Sequence, residues 1–113
     1  MGLKVNPPPK LNRAMIKTGT YVGNGIDNRN IDIGINLAAK DNVWVIIKST
    51  TTAQWAIYRI EIGQGDLSYF FGNFGNVVDA IQSFTNTGFQ LGTHSSVNQD
   101  TMNFVYIAIW TEL

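Results

Sequence analysis

Cysteine is missing from this chain and charge is scarce. Without Cys there are no disulfides and no thiolate metal sites. The single histidine, His94, leaves a zinc centre short of the three or four ligands it takes. Charged residues make up 14% of the chain, against about 25% in soluble domains generally. The polar surface must therefore be built from Asn, Thr, Ser and Gln. No apolar run approaches the roughly 18 residues of a membrane helix. The N-terminus has no apolar stretch of the signal-peptide kind, so synthesis in a cytoplasm is expected. No Asn-x-Ser/Thr sequon occurs.

Catalytic signatures are equally scarce. The Gly-x-Ser-x-Gly elbow and the Walker loop are absent. "GNG" at 23–25 and "GQG" at 63–65 lack the third glycine of a dinucleotide fingerprint and read as turns. The cluster Asp27, Asn28, Asn30 and Asp32 invites comparison with a calcium loop. Counted from Asp27, position twelve is Ala38; counted from Asn28, Ile33 falls where glycine belongs. An Asx-type turn is the expected reading. The carboxylates Glu61, Asp66, Asp79 and Asp100 could form a glycosidase pair, but their spacing does not by itself put two in one cleft. No enzyme activity, metal or cofactor is expected.

Formal net charge is zero, with basic residues gathered at the front. Lys4, Lys10, Arg13 and Lys17 all precede the first acid, Asp27. A charge-poor, neutral surface tolerates association. Four dispersed cations without interleaved aromatics do not make a nucleic-acid site.

The 113 residues suit one domain. Residues 1–13, "MGLKVNPPPKLNR", read as an extended arm. Pro7, Pro8 and Pro9 rule out helix and central strand and favour polyproline II. The arm either lies extended across a neighbouring subunit or a partner, attached through Leu3, Val5 and Leu11, or it is a disordered tail or packs on its own domain.

From 14 to 113 the pattern is β. "AMIKTGTYVG", "IDIGI", "VWVIIK", "WAIYRIEI", "LSYFF", "FQLG" and "MNFVYIAIW" read as strands. "VVDAIQSF" fits either a helical turn or a short strand. "VWVIIK" is expected to be buried on both faces. In the last strand Met102, Phe104, Tyr106, Ala108 and Trp110 share one face, with Val105, Ile107 and Ile109 on the other. About eight short strands separated by glycine-rich turns predict an all-β antiparallel sandwich or jelly roll. Trp44 and Trp110 are expected in the core, and Trp55 is the tryptophan expected to be exposed. His94 is expected in an exposed polar loop. Part of "YFFGNFGN" is expected at an intersubunit contact or against the neighbouring sheet.

Four stretches carry a resemblance: "KTGTYVGNG", "NIDIGI", "VWVIIK" and "SFTNTGFQLGTHSSVNQDTMNFVYIAIW". Together they resemble a small β domain of bacteriophage virion surface proteins, of the capsid-decoration and tail-fibre kinds. The likeness spans most of residues 17–110, and its motifs are structural. One corner departs: "INLAAKDN" replaces a Phe-Lys-Pro-like turn. In the resemblance Gly88 would supply a turn and Asn98 a local hydrogen bond. It implies a protein on the virion surface, bound to a capsid or other virion protein and assembled as a homo-oligomer, a trimer by preference. The arm residues Leu3, Lys4, Val5, Pro7, Pro8, Pro9, Lys10, Leu11 and Arg13 would dock on the shell. The alternative is a receptor- or glycan-binding tail module using Trp55, Tyr58 and His94.

Overall fold

In the computed structural model, residues 13–61, 63–72 and 75–112 are described. They form β1 (Arg13–Val22), β2 (Arg29–Asp32), a 3-10 turn (Leu37–Ala39), β3 (Asp41–Ser49) and β4 (Ile57–Arg59). Then follow β5 (Ser68–Phe70), β6 (Asn76–Val77), β7 (Ile81–Phe84), β8 (Gly88–Leu91), one helical turn α1 (Ser95–Asn98) and β9 (Asn103–Glu112). The protein is an all-β sandwich of two antiparallel sheets. Six strands run in the order β1-β9-β3-β4-β5-β6, and three in the order β2-β8-β7. The ambiguous stretch at 77–84 resolves into strand ends and bends, and the helical turn falls instead at 95–98, in the expected loop.

β9 is the spine of the large sheet. It pairs with β1 over ten consecutive residues, Arg13↔Glu112 to Val22↔Asn103, without a register shift. On its other side it pairs with β3. Its alternation places Phe104, Tyr106, Ala108 and Trp110 inside, as period-two reading predicts.

"VWVIIK" behaves differently from expectation. Val43, Val45 and Ile47 are buried, but Trp44 is 40% exposed and Ile46 half-buried. The three-stranded sheet covers only one face of the six-stranded one. Nothing among the described residues covers the other, so β3 alternates like a half-exposed strand. Trp44 is therefore a surface residue, and only Trp110, 3% exposed, joins the core as expected.

The small sheet turns Ile31, Ile81, Phe84, Phe89 and Leu91 inward. Its outer side is polar and internally bonded. Asn30 Nδ2 donates to Thr87 Oγ1, Thr85 Oγ1 donates to Asn30 Oδ1, and Ser83 Oγ donates to Gln90 Oε1. Gly88 is required here by close approach rather than by turn conformation. A Cβ at Gly88 would lie 2.0 Å from Ile31 O on the neighbouring strand.

Candidate functional site

The outer face of the six-stranded sheet is the surface that differs from an ordinary domain exterior. Strand register sets side chains in rows across it. One row runs Thr18, Ile107, Ile46, Tyr58, Tyr69 and Asn76, one residue from each strand. A neighbouring row runs Ile16, Ile109 and Trp44. Val105 lies on the same face between Thr20 and Lys48. Ile16 is 66% exposed, and Val105 and Phe71 are also exposed.

Aromatic rings concentrate at the β3–β5 end of this face. Tyr58 is their hub: its ring lies 5.8 Å from Trp44, 5.5 Å from Tyr69 and 4.7 Å from Phe71. Tilted and offset contacts at these distances are the favourable geometry for π systems. Lys48 brings a charge to the face, but its Nζ folds back to donate to Ser49 O (2.6 Å) and Thr52 O (3.0 Å). The tilted rings and branched aliphatics form a dry platform suited to contact with another apolar surface.

The site residues expected from sequence are not brought together. Tyr58 sits at the centre of the platform. Trp55 is 53% exposed, as expected, yet its ring lies over Gly72 and joins no ring pair among the described residues. Gly72 has φ +76°, and a Cβ there would meet the Trp55 ring at 2.9 Å. His94 is not the exposed loop residue expected. It is half-buried, its Nδ1 accepts from Ser96 N at the start of α1 (3.0 Å), and its ring stands edge-on to Phe70. Phe70 faces the opposite side of the sheet from Tyr69, because successive strand residues alternate. His94 therefore caps a helical turn instead of contributing to the platform. Burial holds its pKa below the ordinary value, against the opposing pull of Asp79. Of the arm, Arg13 opens β1; Leu3, Lys4, Val5, Pro7, Pro8, Pro9, Lys10 and Leu11 lie outside the described residues.

Two interior polar groups have roles that the sequence reading did not give them. Asn98 is fully buried. Its Nδ2 donates to Ile26 O and Gly92 O, each at 2.9 Å, and its Oδ1 accepts from Asn24 N (3.1 Å) and Arg29 Nη1 (3.0 Å). It ties the loop at 24–26 and the start of β2 to Gly92 and α1, reaching well beyond its own loop. Arg59 is 2% exposed. Its Nη1 donates to the carbonyl oxygens of Gly65 (2.6 Å), Leu67 (2.9 Å) and Ile81 (3.3 Å), and its guanidinium lies over the Phe84 ring. Burial lowers its pKa, with Asp66 opposing. The signal for Arg59 was present in the alternation, which sets it on the same face as Ile57.

Glu61 lines an open cleft of about 240 Å³ with Lys40, Asp41, Asn42, Val43 and Ile60. Asp66 instead accepts from Asp79 N through both oxygens. Asp27 accepts from the adjacent Asn28 N, and Asn28 has φ 55°; the Asx-type bond of this cluster is made by Asp32, whose Oδ1 accepts from Gly34 N (2.9 Å). Among the described residues no group of three or more His, Asp or Glu side chains could hold a metal ion.

No protein-family model matches this chain, and no curated protein or solved structure matches it.

Proposed function

We propose that this chain is an adhesive structural protein of a bacteriophage particle, of the capsid-decoration kind. It would dock through the outer face of its six-stranded sheet onto a weakly charged, apolar patch of a capsid or other virion protein. The observation that carries the reading is the contrast between the two outer faces. One is a polar, self-bonded Asn/Thr/Gln surface. The other exposes Ile16, Trp44, Phe71 and Val105 around the Tyr58 ring cluster. Fully burying one such side chain contributes about 1.5–3 kcal/mol, so a few of them offset the cost of ordering an interface. The platform needs no bond-making chemistry to work. Binding only to the assembled shell would stabilise that shell by mass action.

The phage assignment rests on the motif resemblance. Arg13 and the arm residues Leu3, Lys4, Val5, Pro7, Pro8, Pro9, Lys10 and Leu11 would add a second, basic attachment. The test is co-sedimentation with purified particles. Wild-type protein is expected in the particle fraction. Tyr58→Asp, which sets a charge in the middle of the platform, is expected to reduce retention at least about tenfold. Retention of Tyr58→Asp at wild-type level, or no retention of the wild type, would sink the reading.

A glycan-binding tail module is the second reading, favoured by the stacked Trp44–Tyr58 pair and by the 53% exposure of Trp55. Sugar rings stack on such faces. Specific signal on a glycan array, lost on Trp55→Ala, would favour it over shell decoration.

A further inference from the structure

Among the described residues β1 forms one edge of the six-stranded sheet and pairs on one side only. The register tells which of its backbone groups are free. Just beyond it, Gly23 N donates to Met102 O (2.8 Å) and Gly23 O accepts from Thr101 N (3.0 Å), so Gly23 faces the β9 side. In an antiparallel pair alternate residues face the partner. Counting back, Arg13, Met15, Lys17, Gly19 and Tyr21 bond to β9. Ala14, Ile16, Thr18, Thr20 and Val22 turn their N–H and C=O groups to the open side. Val22 agrees with this count: its carbonyl accepts from Arg29 Nη1 at 2.7 Å, away from β9. The corresponding groups of Ala14, Ile16, Thr18 and Thr20 have no partner among the described residues.

Edge strands are ordinarily blunted by proline, a bulge, shortness or charged side chains. β1 has no proline and no bulge and is long; its charges are Arg13 at the start and Lys17, whose Nζ turns inward and donates to Ile33 O (2.6 Å). The strand runs for ten residues, its pairing is unbroken, and its five open positions carry no charge.

We infer that a second copy of this chain fills this edge, the two β1 strands running antiparallel about a two-fold axis through Thr18. Charge and register select that axis. An axis through Lys17 would set Lys17 directly against its own copy, and like charges opposed across a ladder destabilise it. Axes nearer the strand ends pair fewer residues. The Thr18 axis matches Ile16 with Thr20 and Thr18 with itself, and brings Ala14 beside Val22, whose open carbonyl is already held by Arg29 Nη1. It places Lys17 opposite Gly19, which has no side chain. These pairings are self-complementary and uncharged on the outer face, which suits a copy better than an unrelated peptide. The two Arg13 residues fall at opposite ends of the joint, so the basic segments preceding them start far apart. The row running from Thr18 to Asn76 then continues across the dyad into the second copy, joining the two platforms into one surface.

The inference does not depend on particle binding, and its test uses the isolated full chain. Sedimentation equilibrium is expected to give twice the monomer mass. Thr18→Lys sets two like charges at the dyad and is expected to weaken association at least about tenfold, with an unchanged circular dichroism spectrum. Its backbone groups take no part in the β1–β9 ladder, so folding is not at stake. Thr18→Cys gives the chain its sole thiol. Cα atoms of a hydrogen-bonded antiparallel pair lie about 5.5 Å apart, within disulfide reach. Mild oxidation is expected to link Thr18→Cys into a dimer and to leave Val22→Cys, which would face Ala14, unlinked. A monomeric wild type, a trimer as the resemblance implies, full dimerisation of Thr18→Lys, or equal linking of both cysteine variants would each overturn the inference. So would a monomer whose edge is filled only when an extended peptide of another protein is added.

Discussion

Asn98 carries more of the architecture than its size suggests. All four of its side-chain hydrogen-bonding positions are used, and every partner lies in a loop or strand outside α1. Asn98→Ala would strand buried donors and acceptors, each at a cost of about 1–3 kcal/mol. We expect a net loss of about 3 kcal/mol in urea unfolding, and a loss under about 1 kcal/mol would refute the role. His94 carries a pH dependence. Its folded pKa lies below the ordinary value, so the unfolded chain takes up the proton more readily. Its contribution is therefore present above the unfolded pKa of 6.5 and lost as pH falls below it. Protonation of Nδ1 also removes the acceptor that Ser96 N uses. Lowering pH from about 7.5 to about 5.5 should lower the Tm of the wild type more than that of His94→Asn, which keeps a capping acceptor without titrating in this range. Equal slopes would remove His94 from the account. Arg59 is the opposite case, a buried cation whose Nη1 is met by backbone carbonyls and whose guanidinium lies over a ring, while its Nε is buried without a hydrogen-bond partner and no ion pair forms among the described residues.

At the scale of elements, the joint between β2 and β8 leaves no room for a side chain at position 88. Ile31 O sits where a Cβ of residue 88 would be. Backbone cannot give way as a flexible side chain can, so Gly88→Ala must force the two strands apart. The expected cost is about 2–4 kcal/mol, read as a lower denaturation midpoint at unchanged slope. Gly19 offers an instructive contrast. A Cβ there meets the Tyr106 ring at 2.5–2.7 Å, the far end of a side chain instead of backbone. The Tyr106 ring fills the space an edge glycine leaves, and its hydroxyl pKa is raised by burial. The β3–β4–β5 segment supplies the platform because its outer positions, Trp44, Tyr58 and Tyr69, fall on one side of three paired strands.

The whole molecule has two unlike sides, one apolar platform and one polar shield, with a basic front to the chain. These two modes of attachment respond oppositely to salt. Contacts made by exposed cations weaken as ionic strength rises, since screening shortens their reach to about 8 Å at physiological salt. Apolar burial does not weaken in this way. If the platform carries the docking, particle retention should persist from about 0.1 M to about 0.5 M salt. Retention that collapses over this range would assign the binding to Lys4, Lys10 and Arg13 instead.

Period-two alternation was enough to place the inward set of β9 and the all-β class, because strand geometry is local and repeats every second residue. It sets Arg59 on one face with Ile57, but that this face is the buried one was decided by the packing of the sheets. Other features depended on the second layer. Whether Trp44 lies inside or outside turns on how many strands cover β3, and a chain segment does not encode the size of the sheet opposite it. Asn98 and Gly88 act through partners up to 74 residues away, so their roles appear only once the loops and β2 have been brought alongside. The open edge of β1 has the same origin: its strand character is written in the residues themselves, but its having one neighbour and not two was decided by the order in which six strands assemble.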